Sequence, residues 1–149
     1  MHTYAVTYMY MYIRMYRYRI GKSTAVPLLE PVFQSLIEKL AEGNQRIRDG
    51  SKRLLIQYTT LTSIGALSVT NCILKPLSPK QKTASKPLQS RLLLLCDIYQ
   101  KYLSQLPVDS IMAYMKSNGA FAHSSGDVRD AAKELTIAIQ KQIGMCIIL

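Results

Sequence analysis

Lys80, Lys82 and Lys86 stand close together between Pro76 and Pro87, in the segment PLSPKQKTASKP, with no acid among them. Ammonium groups placed this way attract anions, steering an acidic surface toward the chain with a strength that salt reduces. The same residue types also make ordinary solvated loops, and both readings of the segment stay open at this level. A second candidate is Gly21-Lys22-Ser23-Thr24, which matches the end of a phosphate-binding loop, G-x-x-x-x-G-K-[ST]. That loop needs an opening glycine to wrap its amides round the phosphates. Tyr16 occupies the glycine's place and no strand-then-helix pattern follows, so the tetrapeptide reads as a chance match. Cys72, Cys96 and Cys146 are odd in number, widely spaced and without a C-x-x-C pair, and His2 and His123 are the only imidazoles. A zinc site needs about four convergent ligands, so no metal is expected, and the cysteines read as small buried thiols. His123, in Ala-His-Ser-Ser-Gly, has no assignable carboxylate or nucleophile beside it. Without a base, a nucleophile and an oxyanion donor that can be paired, the chain is not expected to be an enzyme, to hold a cofactor or to take a small-molecule substrate.

The formal net charge of +10 gives these lysines a setting. Arg14, Arg17, Arg19 and Lys22 lie in an acid-free stretch, and so do Lys75, Lys80, Lys82, Lys86 and Arg91. Such a balance favours an anionic partner: nucleic acid, an acidic protein surface or lipid headgroups. Nucleic acid is the weaker of these, because the basic loop carries no aromatic side chain on which bases could stack. Outside the Tyr-Met stretch near the start, the longest apolar runs are Leu92–Cys96 and Met145–Leu149, far short of the roughly 18 residues a membrane helix needs. No basic, then apolar, then small-residue sequence opens the chain, so a signal peptide is not expected and a cytosolic location is.

The elements that must position these residues are helices. Residues 4–19 alternate Tyr with other residues like a strand, yet nothing in the chain looks able to pair with them. A two-residue Tyr-Met repeat is also the signature of translated simple-sequence DNA, and on that reading residues 1–26 lie outside the fold. Further on, Ile47-Arg48-Asp49-Gly50-Ser51-Lys52-Arg53-Leu54 returns as Val128-Arg129-Asp130-Ala131-Ala132-Lys133-Glu134-Leu135, 81 positions later. Half that offset falls on Leu88-Gln89-Ser90-Arg91-Leu92. A period near 40 with two helices in each unit is the spacing of HEAT and armadillo arrays.

Helical periodicity supports the division. One face gathers Ile47, Gly50, Ser51, Leu54, Leu55 and Tyr58; a second, Leu88, Leu92, Leu95, Tyr99, Tyr102 and Leu106; a third, Val128, Ala131, Ala132, Leu135, Ile139 and Ile143. The small residues at 50, 51, 131 and 132 are read as sites of close helix approach. Each helix has an expected partner before it. Pro27–Ala41 opens near Pro27 or Pro31 and stops at Gly43-Asn44; a weaker one covers about Ile64–Leu74; Val108–Ser117 ends at Asn118-Gly119. Asp127 is placed to N-cap the last helix, with Asp130 in its first turn. The expected fold is therefore all-α: an α-solenoid of about three HEAT-like hairpins, 27–60, 64–106 and 108–143, with 27–144 as the domain. The apolar end, 145–149, reads as an edge where a further repeat would dock.

The stretches Phe33–Leu55, Ser85–Leu103 and Pro107–Leu135 give this array a resemblance to the TOG domain, the HEAT-repeat module of microtubule regulators, in particular those of centrosomal and ciliary-tip proteins. The resemblance implies a non-enzymatic scaffold whose intra-repeat loops share one edge and contact tubulin or microtubules, in a cytoplasmic, cytoskeletal setting. Carried onto this chain, the loops are Gly43–Arg46, Ser78–Lys86 and His123–Asp127, with Asn44, Gln45, Arg46, Lys80, Lys82, Lys86, Ser125 and Asp127 as partner-binding residues. The tryptophan that the family places in its first loop has no counterpart, as the chain contains none. Arg48, Asp49, Arg129 and Asp130 are expected to be structural instead, because recurrence at equivalent repeat positions points to packing. A scaffold for another protein with an acidic surface, or a basic nucleic-acid module, remains the alternative.

Overall fold

The computed structural model describes residues 21–148, so the expectations for the Tyr-rich stretch up to residue 20 lie outside the described residues. Seven α-helices follow in order: α1 (Lys22–Lys39), α2 (Gln45–Thr59), α3 (Gly65–Ile73), α4 (Pro79–Thr83), α5 (Ser85–Tyr102), α6 (Val108–Ser117) and α7 (Gly126–Ile148). Short 3₁₀ turns, Leu103–Gln105 and Ala120–Ala122, precede and follow α6, and no strand occurs among the described residues.

The helices form two layers of a right-sized HEAT-like stack. α1, α3 and α6 open the three hairpins, and α2, α5 and α7 close them. Within the second layer α5 and α7 make the most extensive packing in the molecule, and α2 lies along α5. Cross-links show how the layers run. The Thr59 and Tyr102 hydroxyls meet at 2.8 Å, joining the C-terminal ends of α2 and α5. Lys52 of α2 also pairs with Asp97 of α5, so the contacts advance in the same sense along both helices; they are therefore parallel, and their N-terminal turns face the same edge.

Amphipathicity explains the core. Leu88, Leu92, Leu95 and Tyr99 lie on one stripe of α5 and are buried; Leu94 and Ile98 widen that stripe, which suits a helix covered on two sides. Facing them are Phe33, Ile37 and Leu40 of α1, Leu55 and Tyr58 of α2, Val69 and Ile73 of α3, Ile111 and Met115 of α6, and Val128, Ala131, Ala132, Leu135 and Ile139 of α7. Phe33 and Tyr58 meet edge to face with centroids 4.9 Å apart, the arrangement their ring quadrupoles favour.

Several local expectations need correcting. α1 begins five residues earlier than Pro27, and both Pro27 and Pro31 lie inside it. Both prolines are on its exposed side, so the backbone carbonyls they leave without a donor face water. Gly43-Asn44 does not cap α1, which ends with Leu40 in a right-handed conformation; Asn44 instead caps α2, its Oδ1 accepting from the Arg46 amide at 2.9 Å. Asp127 sits within the first turn of α7, because the helix already starts at Gly126. The last helix runs on to Ile148 through Gly144, since one glycine costs a helix only about 1 kcal/mol and no proline follows. Ile47 and Ile143, assigned to inward faces, are 41% and 49% exposed.

Gly50 departs from its expected role as well. Ser51, Ala131 and Ala132 are buried as their size requires, but a Cβ built on Gly50 would meet no atom within 4 Å. Gly50→Ala is expected to raise stability by about 0.5–1 kcal/mol in urea denaturation, through helix propensity alone. Tyr58 provides a second test. Its hydroxyl is buried with no hydrogen-bond partner among the described residues, and burial pushes its pKa upward. The folded chain then keeps the Tyr58 proton at pH values where the unfolded chain releases it, so stability is lost as pH rises above about 10. Tyr58→Phe should leave stability at neutral pH unchanged or slightly higher, and should flatten the alkaline fall.

Candidate functional site

The edge that carries the N-terminal turns of α2, α5 and α7 is shaped by arginines. Arg48 Nη1 donates to the carbonyls of Glu42 at 2.6 Å and Gly43 at 2.8 Å, six and five residues before it. Arg129 Nη1 repeats this at the third hairpin, donating to His123 O at 2.6 Å and Ser124 O at 3.0 Å. Each guanidinium thus ties its helix's first turns to the loop that leads into it. The recurrence seen in the sequence is a recurrence of this hydrogen-bond geometry.

The middle hairpin uses Arg91, which sequence reasoning did not single out. Only 4% exposed, it donates through Nη1 to Ile73 O at 3.1 Å, Lys75 O at 2.9 Å and the Tyr114 hydroxyl at 3.4 Å. It therefore draws the end of α3, the start of α5 and the second half of α6 together. The Tyr114 hydroxyl is pushed up in pKa chiefly by burial, with the Arg91 charge opposing. A signal was present: Arg91 falls near the midpoint between Arg48 and Arg129. Its carbonyl partners lie across a long connection, at a sequence distance that no local pattern reveals.

Asp49 and Asp130 do not partner these arginines. Asp49 Oδ1 accepts from Gln45 Nε2 at 2.7 Å, and Asp130 pairs with Lys133 at 3.2 Å on the exposed side of α7. Helical geometry favours such one-turn neighbours over a guanidinium turned back toward the loop.

The positions proposed for partner contact fall into two groups. Asn44 is committed to capping α2, and Gln45 bonds both Asp49 and Arg48. Ser125 is half-buried and donates its amide to His123 Nδ1 at 3.0 Å. The Asn44 and Gln45 side chains thus serve their turn, whereas at Ser125 it is the backbone that does so. Arg46, Lys80, Lys82, Lys86 and Asp127 are exposed, and none of them forms an ion pair among the described residues.

The segment carrying the lysines is not the open loop its composition implies. Pro79–Thr83 forms the single helical turn of α4, started by a capping box in which Ser78 Oγ accepts from the Gln81 amide and Gln81 Oε1 accepts from the Ser78 amide. Leu77 is buried before it and Leu88 after it. Lys75 is paired with Glu30 of α1, so the cations left for a partner are Lys80, Lys82 and Lys86.

Elsewhere the chemistry is sparse. Cys72 and Cys96 are free and buried, and burial is the first cause that raises both thiol pKa values, which keeps them protonated and poorly nucleophilic. A groove between α5 and α7, lined by Gln100, Leu103, Glu134, Ile137 and Lys141 among others, mixes charges of both signs. Gly21-Lys22-Ser23-Thr24 lies at the opening of α1. No helix among the described residues is long and apolar enough to cross a membrane.

Comparison with known families gives one match. The family model of the XMAP215/Dis1/CLASP TOG domain covers residues 2–149. No curated protein and no solved structure matches the chain.

The arginines differ in burial, and their removal should differ accordingly. Arg91→Met leaves two carbonyls and a hydroxyl without their donor in the interior, so a loss of about 3 kcal/mol is expected. Arg129→Met exposes its carbonyls to water and should cost about 1 kcal/mol. Denaturant titration of the two variants gives the order, and Arg91→Lys should not restore stability, since the shorter lysine side chain ends short of the point on which all three acceptors converge.

Proposed function

Since the chain belongs to the XMAP215/Dis1/CLASP TOG-domain family, a tubulin-binding HEAT scaffold, we propose that it meets tubulin through the edge bearing Arg46, Lys80, Lys82 and Lys86. The observation that carries this reading is the single-signed field of the middle turn. Three exposed lysines without an ion pair among the described residues stand on and beside α4, while Glu30, which α1 brings to the start of this connection, is already held by Lys75. Tubulin's surface is acidic, so such an edge accelerates encounter and fixes orientation more than it adds buried contact.

The arginine-tied turns would serve this contact by presenting the edge without reordering. A partner that meets preformed turns loses less conformational entropy than one that must order a loop. Asp127, exposed in the first turn of α7, places a negative charge at the far end of the same edge and would set direction along it. The resemblance of the helical stretches to centrosomal and ciliary-tip TOG domains supports a cytoplasmic, cytoskeletal setting of that kind.

The charge argument is tested directly. Lys80, Lys82 and Lys86 changed together to Glu should lower co-sedimentation with tubulin by at least about tenfold at low salt. The helical circular dichroism should stay as it was, because α4 buries no side chain. Equal sedimentation of the parent and the triple variant would overturn the assignment of this edge.

A further inference from the structure

The same middle turn carries a hydroxyl that the docking reading does not use. Ser78 is exposed, lies between Pro76 and Pro79 with only Leu77 intervening, and is followed by Lys80 and Lys82. Its backbone is extended, with φ −62° and ψ 157°, as the residue before a proline must be. We propose that Ser78 is a phosphoacceptor for a proline-directed protein kinase, and that its phosphate discharges the lysine edge. The inference rests on the tubulin reading for its consequence, though not for the modification itself.

Access is the first requirement. A kinase cleft takes its substrate as an extended strand, so the chain on both sides of Ser78 has to leave the surface. On the C-terminal side lies α4, one turn long and with no buried residue. Opening breaks the exposed Ser78–Gln81 capping box, whose groups water then satisfies, and loses little apolar contact, so this turn unwinds at modest cost. The chain is anchored beyond it by α5, which begins at Ser85, leaving Pro79–Ala84 free to lift as a unit. On the N-terminal side Leu77 is buried and has to come out with Pro76, while the pair of Lys75 with Glu30 marks where the anchored chain resumes. Thr83 and Ser85, the other hydroxyls nearby, are not followed by proline.

The chemistry is a simple phosphoryl transfer from ATP. Ser78 Oγ attacks the γ-phosphorus, the bond from that phosphorus to the β,γ-bridging oxygen breaks, and ADP leaves with the electron pair. The hydroxyl proton passes to the kinase's catalytic base. The product is a serine phosphomonoester carrying about −1.5 to −2 charge at neutral pH.

That charge is placed where it counts. Lys80, Lys82 and Lys86 contribute the unpaired positive charge of the middle turn, and one phosphate cancels roughly half to two thirds of it. The three phosphate oxygens also offer Lys80 and Lys82 acceptors close at hand, so these ammonium groups turn inward and away from a partner. A like-charged phosphate then faces the acidic surface the edge would otherwise meet.

The test uses the full chain with a purified proline-directed kinase and ATP. Peptide mass spectrometry should place the phosphate on Ser78, and Ser78→Ala should abolish its incorporation. The phosphorylated chain should elute from a polyglutamate matrix at lower salt than the unmodified chain, and should bind tubulin roughly tenfold more weakly. Phosphate absent, or found only on Thr83 or Ser85, would overturn the proposal, as would unchanged elution after full modification of Ser78. An unmodified chain that binds polyglutamate but not tubulin would remove the tubulin reading alone, with the matrix still deciding the effect of Ser78.

Discussion

A buried guanidinium without a carboxylate beside it is expensive, and Arg91 shows how this fold meets that expense. Its partners are the carbonyls of Ile73, the last residue of α3, and Lys75 just beyond, together with the Tyr114 hydroxyl. The unsatisfied carbonyls at a helix C-terminus form the negative end of its dipole, so they attract a cation and also need a donor. One side chain answers both demands. It ties the end of α3 and the second half of α6 to α5, and the middle turn projects from that frame.

The outer hairpins solve the same problem with less burial. Arg48 and Arg129 reach back to carbonyls five and six residues earlier, within loops open to water. A short loop lets one arginine close it locally. The long connection between α3 and α5 cannot be closed that way, so its arginine goes into the core and the surplus chain becomes the capped turn of α4. The division of labour follows: the middle hairpin has a base tied by a buried arginine and a tip whose short helix buries no side chain. Charged residues on such a tip are well held in direction and cheap to reorganise, which suits contact and regulation together.

Much of this organisation was legible in the chain itself. The 81-position recurrence around Arg48 and Arg129, the apolar stripes of α5 and α7 and the terminators at Asn118-Gly119 and Pro76 place the hairpins correctly, because helical period and backbone stereochemistry are local properties. Gly119 does adopt the left-handed conformation that its position after Asn118 requires. Boundaries at α1 were less legible. Proline's preference for a first turn yields here to an exposed helix side, where water accepts the orphaned carbonyls.

The candidate edge divides along the same line. By itself the sequence determined an all-helical repeat of the right period and a basic middle segment free of acids, since both follow from residue type and spacing, and it carried the resemblance that the family match bears out. Only the tertiary structure decided that the Asn44 and Gln45 side chains are used by their own turn, that Lys75 is paired while Lys80, Lys82 and Lys86 form no ion pair among the described residues, and that Arg91 holds the carbonyl of Lys75 at the start of that connection. The physical reason is that hydrogen bonds and ion pairs depend on distance in space. Glu30 and Lys75 are neighbours only because α1 and α3 pack side by side, and no pattern of residues along the chain contains that fact.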